Sequence, residues 1–347
     1  MLKIYFQNKI IMKRKSILLA AIVFSAICSK SFSQTNSKIY EVATWQGFRE
    51  AAVSYTFDDN CANQLPVAIP LFNEFGFRTT MFVPSDWIKD WSGLQIAADQ
   101  GHEIASHTVT HTNLGSLPIA QQLIEFKNSK ESIDARIKGH SCVTIAYPYC
   151  VPGNDSLCAS YYIAARHCQG YIEPKTPTDF MKISSLVTGS VSSIKTVDDF
   201  NSRVQKADSL KGWCVFLIHG IDNDGGYSPT QSAVLRTHLG YVKQQNNSYW
   251  VAPFGDVVRY IKERNATTIH ELSNKPTSIT LQVTDKLDNS IYNYPLTIRR
   301  PLPNSWTSAV VTQADKKLEA KVSKKGRLKY ISFDVVPDGG NVVLKKH

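Results

Sequence analysis

Several features that would decide a class of protein are missing from this sequence. No Cys-x-x-Cys pair occurs, so a zinc site built from thiolates is not supported. The longest apolar run, at residues 17–28, covers about a dozen residues, whereas a membrane-spanning helix needs about 20. We therefore expect no transmembrane span. Charged residues make up 20% of the 347 and hydrophobic residues 43%, values that are ordinary for a globular protein and argue against disorder.

The first 33 residues have the pattern of a secretory signal peptide. The basic triplet from Lys13 to Lys15 precedes the apolar run, and small polar residues follow it. We expect residues 1–33 to be removed and the mature protein to be exported to the periplasm or the extracellular space. A lipid anchor at Cys28 is the less favoured alternative, because Ile27 is bulky for a lipoprotein signal.

Basic charge is not concentrated in the middle of the chain. Loss of residues 1–33 lowers the formal net charge from +10 to +4, because that segment carries six Lys or Arg residues and no acids. The part from residue 269 onward holds 13 Lys or Arg residues and 7 acids, which leaves the middle near −2. We therefore do not expect nucleic acid as a partner. The sequence does not indicate the oligomeric state.

Six cysteines remain after the predicted cleavage, an even number that is compatible with up to three disulfides. Cys150 and Cys158 flank a short loop and are the favoured local pair. Buried free thiols are an equally compatible interpretation, because a chain of this length does not need disulfides to form a core.

Short apolar runs alternate with helical patterns between residues 38 and 268. The helical patterns include 118–137 and a helix that is predicted to start at the capping sequence Ser228-Pro229. Such alternation predicts parallel α/β units, and about seven of them predict a barrel. From 269 to 347 the pattern changes to short alternating strands, which predicts a small antiparallel, β-sandwich-like accessory domain. Strand patterns within the first part occur at 51–57, 79–83, 102–105, 143–146, 161–165, 183–187 and 213–218.

Residues able to bind a metal and move protons lie at the ends of the predicted strands. Asp58 and Asp59 end the first strand, His107 and His111 follow the third, and His219 follows the seventh. One carboxylate and two imidazoles can hold a divalent metal and leave a coordination position open for water. The spacing of the histidines predicts that both lie on the same side of a single helical turn. Active sites of barrels lie at these strand ends.

Together these stretches resemble the motifs of a known enzyme family. Thr56 to Asp59, Ser106 to His111 and Leu217 to His219 are similar to the first, second and fifth motifs of the NodB-homology polysaccharide deacetylases, carbohydrate esterase family 4. The resemblance covers about residues 50–265. It implies a distorted (β/α)7-type barrel and a divalent metal, usually zinc.

The resemblance also implies a role for each residue. Asp59, His107 and His111 would bind the metal, Asp58 would be the general base and His219 the general acid. The expected reaction is removal of N- or O-linked acetyl groups from an acetylated polysaccharide or oligosaccharide by a metal-activated water.

Two motifs depart from the family pattern. The third normally reads Arg-x-Pro-Tyr or Arg-x-Pro-Phe, whereas residues 146–149 read Ala-Tyr-Pro-Tyr. The backbone N–H of Tyr149 would still help to stabilise the oxyanion. We hypothesise that Arg166, at the end of the next strand, replaces the missing arginine. The fourth motif has no clear counterpart, and Asp179 is the nearest candidate to support the acid histidine.

Two functions are compatible with this pattern. The first is a secreted, metal-dependent deacetylase, and the alternative is a non-catalytic glycan-binding protein on a degenerate deacetylase barrel. Retention of the ligands, the base and the acid favours the enzyme. Trp87, Trp91 and Tyr227 lie in loops after strand ends, where they can either stack on sugar rings or pack into the core. The sequence does not reveal the acetyl linkage, the polysaccharide or the native metal.

Overall fold

A computed structural model describes residues 39–347, so the predicted signal peptide lies outside the described part of the chain. The strands are β1 (Glu41–Val42), β2 (Ala51–Asp58), β3 (Thr80–Val83), β4 (Glu103–Ser106), β5 (Thr144–Ala146), β6 (Ala164–Arg166), β7 (Leu186–Val187), β8 (Trp213–Ile218), β9 (Tyr249–Val251), β10 (Thr268–Lys275), β11 (Ser278–Thr284), β12 (Leu296–Pro301), β13 (Ala309–Gln313), β14 (Lys316–Leu318), β15 (Ala320–Lys325), β16 (Leu328–Val335) and β17 (Val342–Lys346). The α-helices are α1 (Ile69–Glu74), α2 (Ser92–Asp99), α3 (Ile119–Arg136), α4 (Asp155–Ala159), α5 (Val197–Leu210), α6 (Ser232–Gln244) and α7 (Phe254–Ala266). Among these helices none is both long and apolar enough to cross a bilayer.

Parallel strands form one curved sheet in the first part of the fold. Seven of them lie in the order β6-β5-β4-β3-β2-β8-β7, and β9 pairs with β2. A parallel bridge between Arg166 and Ile183 links β6 to the segment that leads into β7. The predicted barrel-type α/β fold is confirmed, in the form of a curled half-barrel with separate antiparallel sheets after it.

The strands are buried on both faces, against helices on one side and in the barrel interior on the other. On β2, Val53, Tyr55 and Phe57 pack with the aromatic residues of α1 and α5. The alternate residue Ala52 faces the barrel interior, where alanines from four strands pack beside bulky residues such as Trp213 and Phe82. Since side chains alternate across a strand, every second residue along a strand points into this interior.

This alternation directs the polar strand-end residues inward. Asp58 lies six residues after the interior residue Ala52, and Arg166 lies two residues after interior Ala164. His107 and His219 likewise follow interior residues of β4 and β8 by an even number of positions. The pleat of four strands therefore brings four ionisable side chains to one end of the barrel interior.

Two antiparallel sheets form the C-terminal part. Their orders are β1-β12-β16-β15 and β10-β11-β17-β13-β14, and they share one apolar core. The strand β1, which precedes the barrel in sequence, joins the first of these sheets by pairing Glu41 with Arg299 and Val42 with Ile298. The antiparallel strands expected for residues 269–347 are thus found. The domain boundaries, 38–268 and 269–347, stay predictions.

The helix predicted from Ser228 begins four residues later, so that prediction was wrong. Ser228 has a positive φ of 43°, and its hydroxyl donates to the carbonyl of Thr188 at 2.9 Å. Thr230 pairs with Ile221 in a short bridge, which keeps this segment extended. Helix α6 is capped instead by Asp222, whose carboxylate accepts from the backbone N–H of Ser232 at 2.8 Å.

Cys150 forms a disulfide with Cys168, not with Cys158, so the favoured pairing was also wrong. Helix α4 turns the Cys158 side chain into the core, where it is fully buried. Cys150 and Cys168 follow the ends of the neighbouring strands β5 and β6, with their Cα atoms 5.7 Å apart. Of the other cysteines from residue 39 onward, Cys61, Cys142, Cys158 and Cys214 are free thiols.

Candidate active site and metal centre

Two adjacent carboxylates face the same site at the end of β2. Asp58 is the last strand residue and is 2% exposed. Asp59 takes a positive φ of 73°, a conformation that Asp tolerates better than most residues, and this turns its side chain back toward the site. As a result, His107 Nε2 lies 3.6 Å from Asp58 Oδ2 and 3.5 Å from Asp59 Oδ1.

The two histidines come together through a loop and not through a helical turn, which corrects the prediction. Thr108 and His111 have positive φ angles of 67° and 57°. The Thr108 hydroxyl accepts a hydrogen bond from the backbone N–H of His111 at 3.0 Å, which closes the loop. His111 Nε2 then lies 3.3 Å from Asp59 Oδ1.

Another contact fixes the ring of His107. Its Nδ1 is 2.8 Å from the carbonyl oxygen of Ala146, so the proton sits on Nδ1 and the lone pair of Nε2 faces the carboxylates. Such a hydrogen bond from the far ring nitrogen to a carbonyl is the usual partner of a metal-ligating histidine.

Asp59, His107 and His111 have the arrangement of a metal site. One ligand atom from each lies within 4.8 Å of the others. Ligands at about 2.0–2.1 Å from a tetrahedral zinc are separated by about 3.3 Å, close to the 3.3 Å and 3.5 Å from Asp59 Oδ1 to the two imidazoles. Asp59 Oδ1 is buried and has no hydrogen-bond partner among residues 39–347. The donor set therefore fits a divalent cation.

The protonation states of the two histidines and of Asp59 also favour a bound cation. Burial lowers the pKa of His107 to about 4 and also lowers the pKa of His111, so both imidazoles are neutral at pH 7. Burial and the charge of Asp58 raise the pKa of Asp59 to about 6. Two carboxylates this close disfavour a second negative charge, and a bound cation would compensate for it.

Asp58 is held as a carboxylate by its neighbours. Burial alone would raise the pKa of Asp58, but the charge of Arg166, with contributions from His107 and His219, keeps it below the usual value. Arg166 donates from Nη2 to Asp58 Oδ2, and both side chains are almost fully buried.

The position of Arg166 explains how it reaches Asp58. In the register of β5 and β6, Arg166 is the direct partner of Ala146, the position at which the third motif carries arginine. The small Ala146 side chain leaves that space free. Arg166 is further held by a 3.0 Å hydrogen bond to the Ser185 hydroxyl and lies 5.2 Å from the centre of the Phe82 ring. The hypothesised contact between Arg166 and Asp58 is therefore formed.

His219 lies across the site from the other two histidines. Its Nε2 is 4.0 Å from Oδ2 of both Asp58 and Asp59. Its Nδ1 is buried and has no hydrogen-bond partner within the described chain. Asp179 does not support it, contrary to the prediction, because Asp179 caps a short turn through the N–H of Met181 and pairs with Lys182.

Gln64 is a site residue that the motifs did not indicate. It is fully buried at the start of a short π-helix, Gln64–Ala68. Its Nε2 donates to the carbonyl of Asp58 at 2.6 Å and to the carbonyl of His219 at 2.9 Å. The side chain thus ties the end of β2 to the end of β8 and fixes the distance between the two residues that can move protons.

Exposed aromatic rings flank the polar cluster on two sides. Trp87 and Tyr149 each lie 4.8 Å from the ring of His111, and Tyr227 lies 5.0 Å from the ring of His219. All three are exposed, at 49%, 64% and 58%. Trp91 instead packs against the core beside α3, so it contributes to core packing and not to a surface for sugar rings.

Residues 46–161 match the family model described as polysaccharide deacetylase. The matched segment contains Asp58, Asp59, His107, His111 and Tyr149, which the structure brings together. The match shows that this segment, about a third of the chain, is similar to polysaccharide deacetylases. The family resemblance of the sequence is thereby confirmed, and the family is one of hydrolytic enzymes. Arg166 and His219 lie beyond the match, so their place in the deacetylase site is given by the geometry alone.

The chain is similar to a part of a longer protein and, in fold, to solved structures. A protein of Bacillus sp. named gellan lyase is 31% identical over 325 residues, which are 88% of this chain and 13% of the relative. A putative polysaccharide deacetylase from Mycobacterium smegmatis has a TM-score of 0.52 at 16% identity, covering 67% of this chain and 97% of that one. The Puue allantoinase has a TM-score of 0.50 at 14% identity, covering 63% and 92%. At such identities the solved structures establish the fold alone.

Proposed function

We propose that this protein is a metal-dependent hydrolase that removes acetyl groups from a polysaccharide or oligosaccharide. The observation that supports this most strongly is the pairing of a buried, ionised Asp58 with the cluster of Asp59, His107 and His111. A carboxylate base within 3.6 Å of a ligand nitrogen can act on a molecule bound at the same metal.

Asp59, His107 and His111 would hold the metal, and zinc is the first candidate because it accepts this mixture of nitrogen and oxygen donors. When bound, the metal lowers the pKa of water at its open position and polarises the acetyl carbonyl. Neutral imidazoles supply the lone pairs that such binding requires.

Asp58 is oriented by Arg166 and faces the other ionisable side chains of the site. Oδ2 accepts from Arg166, whereas Oδ1 is buried without a hydrogen-bond partner in the described residues. Oδ2 is also the oxygen that faces His107 and His219, at 3.6 Å and 4.0 Å from their Nε2 atoms. Arg166 keeps the carboxylate ionised and oriented toward the site, where it would accept the proton of the attacking water. The base is therefore ready for proton transfer before the substrate arrives.

His219 is placed to complete the reaction from the opposite side. The water oxygen bonds to the acetyl carbon, the bond from that carbon to the sugar oxygen or nitrogen breaks, and acetate leaves. Asp58 takes a proton from the water, and His219 gives one to the departing sugar atom. The backbone N–H of Tyr149, in the turn beside His111, would donate to the oxyanion that forms on the carbonyl.

A polysaccharide substrate is supported by the surroundings of the site. Exposed Trp87, Tyr149 and Tyr227 provide apolar faces on both sides of the cluster, where sugar rings can stack. The relative of which this chain covers 13% is named for an enzyme of gellan, a polysaccharide. Export through the predicted signal peptide would bring the enzyme to such a substrate.

Removing the flanking aromatic rings is expected to weaken substrate binding more than catalysis. Trp87→Ala and Tyr227→Ala should each raise KM about 5–150-fold, since a stacked ring contributes roughly 1–3 kcal/mol, with a smaller change in kcat. The measurement is steady-state kinetics of acetate release from an oligosaccharide. Tyr171→Ala is a suitable control, because Tyr171 is similarly exposed, at 48%, and has no ring contact with the site histidines. An effect of equal size for Tyr171→Ala would contradict this interpretation.

The proposed function is tested by measuring acetate released from acetylated xylan, chitooligosaccharides, peptidoglycan and acetylated gellan. We expect release from at least one of them by the wild type and none by Asp59→Ala. If no substrate is deacetylated although zinc binds tightly, the protein is a glycan-binding protein on a degenerate barrel, and the enzyme proposal is wrong.

A further inference from the structure

A buried carboxylate of helix α3 contacts the loop that joins the two metal-binding histidines. Glu125 is 7% exposed. Its Oε2 accepts from the backbone N–H of Val109 at 2.7 Å and of Thr110 at 3.1 Å, and its Oε1 accepts from the Thr110 hydroxyl at 2.8 Å. Three donors of one short loop therefore converge on a single side chain.

The loop needs such support because its backbone is strained. Thr108, just before the clamped residues, takes a positive φ angle that a β-branched side chain disfavours, and His111, just after them, also has a positive φ. Conformations of this kind persist only where the surroundings hold them. The hydrogen bonds to Glu125 add to those that the carbonyls of Thr108 and Val109 accept from the N–H groups of Ser85 and Asp86, at 3.1 Å each.

Helix α3 holds the loop at a second point, one helical turn further on. Ser129 contacts the Ser106 hydroxyl at 2.7 Å, and that hydroxyl accepts from the N–H of Thr108 at 3.1 Å. Ser129 follows Glu125 by four residues and therefore lies on the same face of the helix. The two ends of the histidine loop are thus fixed to one rigid element.

Charge pairing does not explain why Glu125 is buried. No Lys or Arg of the described chain forms an ion pair with it. A buried carboxylate without a cation needs several hydrogen bonds to offset the loss of hydration, and all of those found here come from residues 109 and 110.

We propose that Glu125 is a positioning residue that sets the distance between His107 and His111 and thereby the affinity for the metal. The inference rests on the metal site of the proposed function, but it does not depend on which reaction the metal serves. Residues that orient metal ligands from outside the coordination sphere typically change metal affinity 10–100-fold when they are replaced.

The test measures zinc affinity of the full-length protein by competition with a chromophoric chelator, together with the visible spectrum of the cobalt form. Glu125→Leu, which removes the acceptors and keeps the bulk, is expected to bind zinc about 10–100-fold more weakly and to alter the cobalt spectrum. Glu125→Gln retains an acceptor for the two N–H groups and can donate to Thr110, so it should stay within about threefold of the wild type. The matched control is Glu131→Gln, an exposed glutamate of the same helix.

Wild-type zinc affinity in a folded Glu125→Leu protein would overturn the proposal, even if the melting temperature fell. An equal loss in Glu125→Gln and Glu125→Leu would also contradict it, because the effect would then come from charge. If Glu125→Leu does not fold, Glu125→Asp carries the test, since the shorter side chain withdraws from the loop and should lower affinity about tenfold. If the wild-type protein binds zinc normally but releases no acetate, the proposed function is wrong, whereas the inference about Glu125 still holds.

Discussion

Replacing Asp58 with asparagine is expected to lower the rate of acetate release by about 10²–10⁴-fold while zinc binding is retained. Asparagine has nearly the same shape and can still accept from Arg166, but it cannot take the proton of the attacking water. The atoms proposed to bind the metal belong to Asp59, His107 and His111, so the metal should remain. The measurement combines kcat for acetate release with the zinc content of the purified variant.

Asp86→Asn is the control for this experiment. Asp86 is an exposed acid in the loop after β3, beside Trp87, and its replacement removes a charge without touching the cluster. We expect it to keep wild-type turnover. If Asp58→Asn retained full turnover with zinc bound, another group would have to be the base.

Replacing Arg166 with alanine is expected to affect both stability and catalysis. The change leaves Asp58 charged and unpaired in the barrel interior, which should lower the free energy of unfolding by about 3–5 kcal/mol. Turnover should fall about 10–100-fold, because the base loses its orientation. Since Arg166 lowers the pKa of Asp58, its removal should move the acidic limb of the pH–rate profile to higher pH. Urea unfolding and pH-dependent kinetics measure these effects.

The register of β5 and β6 offers a sharper control than a single variant. Ala146 and Arg166 are direct partners across the two strands, so the double variant Ala146→Arg/Arg166→Ala moves the guanidinium one strand over at the same level of the barrel. We expect it to recover part of the lost turnover and the normal acidic limb. A folded Arg166→Ala protein with unchanged turnover and pH profile would show that Arg166 does not support the base.

Strand-end residues were predictable because strand position and side-chain direction follow simple periodicities. Asp58, His107, Arg166 and His219 each lie at, or just after, the end of a buried strand, and the alternation of side chains sends all four into the interior. The position of Arg166 could be predicted from the sequence for the same reason, although no motif contains this residue. The C-terminal change from parallel to antiparallel strands was visible as a change of hydrophobic period.

Loops were less predictable because tertiary contacts decide their conformation. The spacing of His107 and His111 fits a helical turn, but positive φ angles and the hydrogen bonds that the loop donates to Glu125 create a different loop. Gln64 and Glu125 act on backbone atoms of distant segments, and such contacts leave no pattern in the sequence. The partner of Cys150 depended on which strands are neighbours, which spacing along the chain does not reveal.

Removing the metal and adding it back tests directly whether hydrolysis requires it. Acetate release should be lost when the wild type is stripped with a chelator, with metal content verified, and should return when zinc is added. His107→Ala should be inactive throughout, because it lacks a ligand. Undiminished acetate release by verified metal-free wild-type protein would contradict the central claim that Asp59, His107 and His111 hold the metal that hydrolysis requires.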